Sequence, residues 1–316
     1  MINLTADSVA ELFSAAVTLA KNGERVSPRG MATREVMNVS VTLTRPRARL
    51  LYAPPARILN PAFAVAETVW ILSGTDDPWI FDYNSQLKQY TDDGVLRGAY
   101  GPRLRAWAGG IDQLRRVVDI LRADPDSRRA IVQVFDPARD AAGHSDVPCT
   151  LGFRFHLRHG RLHMSTTMRS QDVWVGMPYD LFCFTTIHEL VAGWLDVRPG
   201  MYRHHVDSFH IYESDIERAE ELTEPAASPE MPKLTAPWDG FGILLDHVRA
   251  GRTTGHPGWD AMAATLSSYQ TWKRGDHRRA RAIAGALEGP LGDALTAWYT
   301  ELDRRKACRA VPAGTR

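Results

Sequence analysis

The chain has 316 residues, 44% apolar and 24% charged, with 38 basic against 37 acidic side chains and a formal net charge of +1. That balance excludes a broad surface for nucleic acid or membrane and leaves small or locally matched partners to a protein of ordinary globular composition, with one large domain or two. No basic segment leading into an apolar stretch opens the chain and no apolar run of about 18 residues occurs, so a cytoplasmic location is expected, without secretion signal or membrane span.

In chain order, SVAELFSAAVTLAKNGE (8–24) repeats Ala, Leu and Val at helical spacing and stops at Asn22-Gly23, a helix-end signal. EVMNVSVTL (35–43) alternates like a half-buried strand. NPAFAVAETVWILSG (60–74) reads as a mostly apolar helix capped by Asn60, closed by Gly74 and containing Glu67. An amphipathic helix over 111–127 ends at Pro125 and precedes the strand RAIVQVF, 129–135. Two alternating runs within 151–170 flank His159-Gly160 and predict a hairpin. Apolar residues then recur at three and four through 177–200, a helix expected to end at Pro199-Gly200. The strand MYRHHVDSFHIY and the helix SDIERAEEL follow. PAASPEMPKLTAPW is rich in proline, and 241–250, 258–273 and 277–304 read as helical. The expected organisation is a core over 1–224, a linker over 225–240 and a C-terminal helical extension over 241–316.

Three cysteines, Cys149, Cys183 and Cys308, form neither a disulfide framework nor a C-x-x-C pair. Cys149 stands in VPCTLGFRF, between a proline and an apolar strand, as a small core hydrophobe or as a reactive thiol. Glu67 sits among Ala64, Val65, Val69, Trp70 and Ile71. There it is either at an exposed helix edge or buried with a raised pKa that suits proton transfer. His210 and Tyr212, two apart on a strand, face the same way. His204, His205 and Asp207 match no closed ligand set, because the strand sends the two histidines to opposite faces, and no metal is expected. Arg128-Arg129 taken alone reads as a solvated helix end.

The order PC, RSQD (169–172), GMPYD (176–180) and HIY (210–212) resembles the thymidylate synthase family. Upstream, AETVWILSG, AYGPRLRAW and DSRRAIV are similar to three further segments of that family, in the same order, so the resemblance covers roughly residues 29–215. It implies an α/β (α+β) fold, a large mixed β-sheet covered by helices, and a homodimer. It further implies that Cys149 adds to C6 of a pyrimidine nucleotide, after which C5 attacks a one-carbon unit from 5,10-methylenetetrahydrofolate. Arg169 would favour the thiolate, Glu67 would exchange protons with the base, and Tyr100 would join Cys149 and Asp180 in the catalytic set. Arg29, Arg128, Arg129 and Arg169 would grip the 5′-phosphate through guanidinium forks, with Arg128 and Arg129 reaching across the dimer interface. Ser170, Asp172, His210 and Tyr212 complete the implied substrate contacts, His210 and Tyr212 at the sugar. Asp172, Gly176 and Leu87 are the implied cofactor contacts.

Two departures from the family pattern bear on the reaction. Where thymidylate synthases end G-x-P-F-N in asparagine, this chain has Asp180. An amide complements O4 and N3–H of uracil, whereas an ionised carboxylate only accepts and suits the 4-amino group and protonated N3 of cytosine. The alternative is an Asp180 that caps a helix starting at Leu181. The aspartate resembles the cytidylate hydroxymethylases of the family. Leu87 stands where a simple alignment expects the tryptophan that thymidylate synthases keep near the folate, and the chain ends RAVPAGTR; both changes would admit water to the C5 methylene. The expected activity is therefore C5-hydroxymethylation of a cytidine monophosphate, with Ser170 tilting the choice toward dCMP over CMP. Methylation of dUMP, a non-catalytic nucleotide or RNA binder and a cysteine hydrolase are the competing readings, the last lacking any local histidine signature.

Overall fold

The computed structural model describes residues 2–141, 143–223 and 227–310, the last three of these without their side chains. The Cys308 side chain, the start of the proline-rich stretch and most of RAVPAGTR lie outside the described residues.

A first strand that the sequence pattern does not reveal, β1 (Ile2–Ala6), precedes α1 (Val9–Lys21). Ser8 opens α1 with a reciprocal cap: its hydroxyl accepts from the Glu11 amide, and the Glu11 carboxylate accepts from the Ser8 amide. Strands β2 (Glu24–Val26) and β3 (Thr33–Leu43) follow, then the short β4 (Tyr52–Ala53) and β5 (Arg57–Ile58), which form a sheet of their own. Helix α2 (Pro61–Leu72) begins at Asn60, whose side chain accepts from the amides of Ala62 and Phe63, with proline at the first helical position. Next come α3 (Tyr100–Arg105), α4 (Gln113–Ala123), β6 (Ile131–Gln133) and α5 (Pro137–Asp140). The strand expected over 129–135 is shorter because the amides of Val134 and Phe135 both turn to the Leu151 carbonyl, which ends the regular ladder.

Strands β7 (Thr150–Arg158) and β8 (Arg161–Asp172) meet at His159-Gly160 as expected, both residues taking left-handed φ of 52° and 65°. Helix α6 (Gly176–Trp194) stops short of Pro199-Gly200, where the sequence pattern had placed its end. Asp196 adopts a φ of 54° and the Val197 amide returns to the Ala192 carbonyl, so β9 (Arg198–Tyr212) already contains that dipeptide. Helices α7 (Glu213–Glu220), α8 (Phe241–Arg249), α9 (Pro257–Lys273), α10 (His277–Ala286) and α11 (Pro290–Ala310) complete the chain. The last two divide the region read as one helical stretch, at Gly289 with φ 89°.

Among the described residues the large sheet has seven strands, ordered β1-β3-β9-β8-β7-β6 with β2 alongside β3. It is mixed, since β1–β3 and β8–β9 pair in parallel and the remaining neighbours antiparallel. Pairing skips one residue at the same level on three adjacent strands: Asn38 of β3, Asp207 of β9 and Arg169 of β8. Buried positions change phase there. Leu162, Met164, Thr166 and Met168 give way to Gln171 on β8, and Tyr202, His204 and Val206 to Phe209 and Ile211 on β9. Gln171 is thereby buried, while its neighbour Asp172 is half-buried.

The proline-rich segment has no helix or strand over 227–237, yet it is pinned to the sheet-and-helix body. Ser228 accepts from the Ala10 amide, the Met231 amide donates to the Arg47 carbonyl and the Leu234 amide to the Glu189 carboxylate. Glu189 itself pairs with the fully buried Arg49. Beyond it, α8, α9 and α11 lie against α2, the helix that carries Glu67. No described helix is long and apolar enough to cross a membrane.

A second buried ion pair ties α3 to the segment that leads into Cys149. Arg103 donates to both carboxylate oxygens of Asp140, at 2.6 and 2.7 Å, and to the Val134 carbonyl. Removing one member of such a pair leaves the other charge uncompensated, so Asp140→Asn should lower the unfolding free energy by about 3–5 kcal/mol in a denaturant titration. Burial opposes ionisation of Asp140, but its hydrogen bonds from Arg103 and the Asp136 amide outweigh it and bring the pKa to about 2, below the ordinary 3.8. A depressed carboxyl stabilises above its unfolded value, so this contribution should fade as pH falls from about 4 through about 2 in the wild type and be absent from Asp140→Asn.

Candidate active site

Cys149 enters β7 directly after Pro148, and Arg169 of β8 holds that entry in place. The Arg169 amide donates to the Cys149 carbonyl at 2.9 Å, and its guanidinium donates to the carbonyls of Pro148 and Val147, each at 3.0 Å. Tyr100, at the start of α3, donates to the Thr150 hydroxyl at 3.1 Å and accepts from the Thr150 amide at 3.3 Å. Burial pushes the Cys149 thiol up; Arg169 and Arg29 pull it down, and Asp180 and Asp146 add to the rise. The net shift is upward, the reverse of what Arg169 alone would produce, because desolvation of the thiolate exceeds the guanidinium's pull.

Glu67 is raised to about 8, first by burial and then by the charge of Asp180, which agrees with the buried rather than the exposed-edge alternative. Asp180 is raised to about 7 by burial and Asp172, against a hydrogen bond from Gln171 that favours its ionised form. Asp180 lies inside α6, whose cap is Val175, so the cap reading of Asp180 does not hold. Its Oδ2 accepts from Gln171 Nε2 at 2.9 Å. Asp172 turns the chain into α6, with Oδ1 accepting from the amides of Trp174 (2.9 Å) and Val175 (3.1 Å). Gly176 belongs at this turn for want of space: a Cβ there would stand 3.0 Å from Gln171 Nε2. The His210 ring lies edge-on to Tyr212, 5.3 Å between centroids, and the His210 carbonyl accepts from the Val173 amide.

Arg29 takes a left-handed φ of 54° and lies close enough to lower the pKa of both Cys149 and Tyr212. Arg128 and Arg129 are exposed, and no described hydrogen bond or ion pair joins them to Cys149, Arg169 or His210 of the same chain. Ser170 is half-buried on β8, paired with Ser208 of β9. Leu87 lies half-buried in a 3₁₀ turn, Ser85–Tyr90, packed on the core. A cavity of about 470 Å³ runs beside the cleft, bounded by Trp174 and Tyr179 on the Asp172–Asp180 stretch and by Asn84–Gln86. Tyr269, Lys273 and Trp298 of α9 and α11 form its far wall.

Four residues of this region escaped the sequence reading as participants: Gln171, Tyr202, His204 and Tyr179. The available signal was a glutamine inside R-S-x-D on a strand whose buried side is otherwise apolar save for Thr166. His204 is fully buried and hydrogen-bonded to Tyr202 and Gln171, while His205 across the strand is half-exposed. No described group of three or more His, Cys, Asp or Glu could hold a metal ion.

The chain is 38% identical over 212 residues to a deoxyuridylate hydroxymethyltransferase of Bacillus phage SP01, covering 63% of this chain and 55% of that protein. It is 33% identical over 196 residues to a deoxyuridylate hydroxymethyltransferase of Pseudomonas phage M6, covering 60% and 55%. The match thus spans little more than half the length of either relative. The thymidylate synthase family model matches residues 17–240, which takes in β2 through β9 and α2 through α7, and the chain belongs to that family.

Proposed function

We propose that the chain hydroxymethylates C5 of a cytidine monophosphate, with dCMP favoured over CMP. The observation that carries this reading is Asp180, which stands at the family's asparagine position with Oδ2 already accepting from Gln171. An asparagine would set a donor beside its acceptor, whereas an ionised carboxylate offers acceptors alone. An oxygen fixed as an acceptor suits the 4-amino group of cytosine.

In this reading Cys149 adds to C6 of the ring as nucleophile, so that C5 gains the electron density to form a bond to carbon. Arg169 and Arg29 favour the thiolate, and a 5′-phosphate bound by the same arginines anchors the nucleotide. Glu67, protonated near neutrality and beside Asp180, delivers and accepts protons around the base. Tyr100 supports the Cys149 strand through Thr150, and His210 with Tyr212 faces the sugar. 5,10-Methylenetetrahydrofolate supplies the one-carbon unit in this family, with Asp172, Gly176 and Leu87 assigned to its contacts, and the cavity lined by Tyr83, Trp174, Tyr179 and Tyr269 has aromatic walls suited to a flat pteridine and its benzoyl group. Water in place of hydride at the C5 methylene completes hydroxymethylation. The active unit is a homodimer in which Arg128 and Arg129, exposed and without a described hydrogen bond to the site residues of their own chain, serve the site of the second copy.

The names of the two phage relatives favour a second reading, hydroxymethylation of dUMP. A protonated Asp180 has one donor and one acceptor, which can also meet O4 and N3–H of uracil.

Four outcomes are expected. Cys149→Ser should lower tritium release from C5-labelled nucleotide by at least about a thousandfold while nucleotide binding persists, since arginines supply much of the affinity; turnover near the wild-type rate would remove Cys149 from the nucleophile role. Mixing Arg128→Ala chains with Cys149→Ala chains should restore part of the activity through one intact hybrid site, and demonstrated hybrid dimers without activity would exclude the shared site. Product analysis with dCMP, CMP, dUMP and UMP offered separately with methylenetetrahydrofolate should give hydroxymethylated cytidylate first. In the same assay Asp180→Asn should move the dCMP-to-dUMP preference at least about tenfold toward dUMP, a buried polar mismatch costing roughly 1–3 kcal/mol. An unchanged ratio would end the base-reading role of Asp180.

A further inference from the structure

The buried side chains around Asp180 form one continuous hydrogen-bonded line. Thr166 Oγ1 and Tyr202 Oη are 2.8 Å apart, Tyr202 Oη and His204 Nδ1 2.8 Å, His204 Nε2 and Gln171 Oε1 2.9 Å, and Gln171 Nε2 and Asp180 Oδ2 2.9 Å. None of the four residues that precede Asp180 is more than 3% exposed, so their polar atoms depend on one another.

The direction of this line follows from its one member that cannot change roles. Gln171 Nε2 also lies 3.2 Å from the Asp172 carbonyl, which only accepts. The amide nitrogen must therefore be at that end and Oε1 must face His204; the flipped amide would set two acceptors against each other. Oε1 only accepts, so His204 carries its proton on Nε2. Its Nδ1 then accepts from Tyr202, which in turn accepts from Thr166. Burial, with the neighbouring His205, holds His204 down to about 3, so the imidazole stays neutral and the direction is kept across the working pH range.

We propose that Gln171, oriented by His204 and Tyr202, fixes Asp180 Oδ2 as the acceptor and Oδ1 as the proton-bearing oxygen, and that this assignment selects cytosine over uracil. The proposal rests on the base-reading role of Asp180. A pyrimidine paired with a carboxyl group shares one proton with it in either case. Cytosine needs an acceptor opposite its 4-amino group and the shared proton at N3. Uracil needs the proton opposite O4 and an acceptor opposite N3–H. The two bases thus demand opposite placements of one proton on the same two oxygens. A carboxyl free to exchange its proton between oxygens would serve both. With Oδ2 toward the 4-position and Oδ1 toward N3, the facing this proposal assigns, a carboxyl whose Oδ2 always receives an N–H serves cytosine, with the 4-amino group on the second lone pair of Oδ2. Gly176 keeps the space this requires, since any Cβ there would crowd Gln171 Nε2.

Glu67 from α2, Asp172 from β8, Tyr100 from α3, Tyr202 from β9, Cys149 just before β7 and Cys183 on α6 itself share this electrostatic surrounding with Asp180. Among them Gln171 supplies the hydrogen bond that favours ionised Asp180. Its removal should therefore raise the Asp180 pKa.

The test is equilibrium binding of dCMP and dUMP, by calorimetry without cofactor, to wild type, Gln171→Met, Tyr202→Phe and Asp180→Asn. Gln171→Met should shift the dCMP-to-dUMP affinity ratio about tenfold toward dUMP and move the pH above which dCMP binding weakens upward. Tyr202→Phe, which loses one hydroxyl, should shift the ratio in the same direction by less, and it carries the test if the methionine variant does not fold. A structural role alone would weaken both nucleotides equally and leave ratio and pH limb in place. If Asp180→Asn moves the ratio while Gln171→Met and Tyr202→Phe do not, the orienting line is refuted and base reading stands. If Asp180→Asn also leaves it unchanged, base reading and this proposal fall together.

Discussion

Two carboxyl groups, Glu67 and Asp180, are held close together where burial penalises charge on either one. Desolvation is the largest cause of both shifts, and the charge of Asp180 raises Glu67 further. With values near 8 and near 7, each group can hold or release a proton around neutral pH, where ordinary carboxylates are fully ionised. The surrounding architecture can be understood as what keeps these groups buried without unfolding the protein. Helix α2 brings Glu67 in an apolar frame, α6 brings Asp180, and the sheet supplies Gln171, the single hydrogen bond that offsets the cost at Asp180.

The aligned irregularity in the sheet is part of the same arrangement. A strand of strict alternation would send Gln171 and His204 to opposite faces, given their registers on β8 and β9. The skipped positions Asn38, Asp207 and Arg169 shift the phase on neighbouring strands together, so the upper part of β8 can present Gln171 inward and leave Asp172 half-buried. Arg169, released from ladder pairing with β9, uses its amide and guanidinium on the segment around Cys149. One local defect thereby orders the segment around Cys149 and the side of β8 that meets Asp180 at once.

The helices beyond residue 240, outside the family match, pack on α2 rather than standing apart. Gln270 donates to Tyr83 at 2.8 Å, and Tyr83 and Tyr269 stack at 5.6 Å, so this layer reaches the turn region around Asn84–Gln86. Its aromatic and cationic side chains bound the cavity next to the cleft, in the half of the molecule where the chain also carries Leu87.

Sequence alone determined the setting of Cys149, the order of the family segments, most helix and strand positions, and Asp180 as the telling departure. Those features are local: a proline before a cysteine, a cap, a period of two or of three to four, a residue type at a fixed place. It did not reveal β1, whose five residues belong to the sheet only through parallel pairing with β3, nor the end of α6, which a left-handed Asp196 imposes. The net rise of the Cys149 pKa also lay beyond it, because an adjacent arginine is readable in a string of letters and desolvation is not. The same holds for His204, read as a strand histidine and found as a link between Tyr202 and Gln171. Burial, register phase and the direction of a hydrogen bond depend on which distant residues are brought together, and only the tertiary structure decides that.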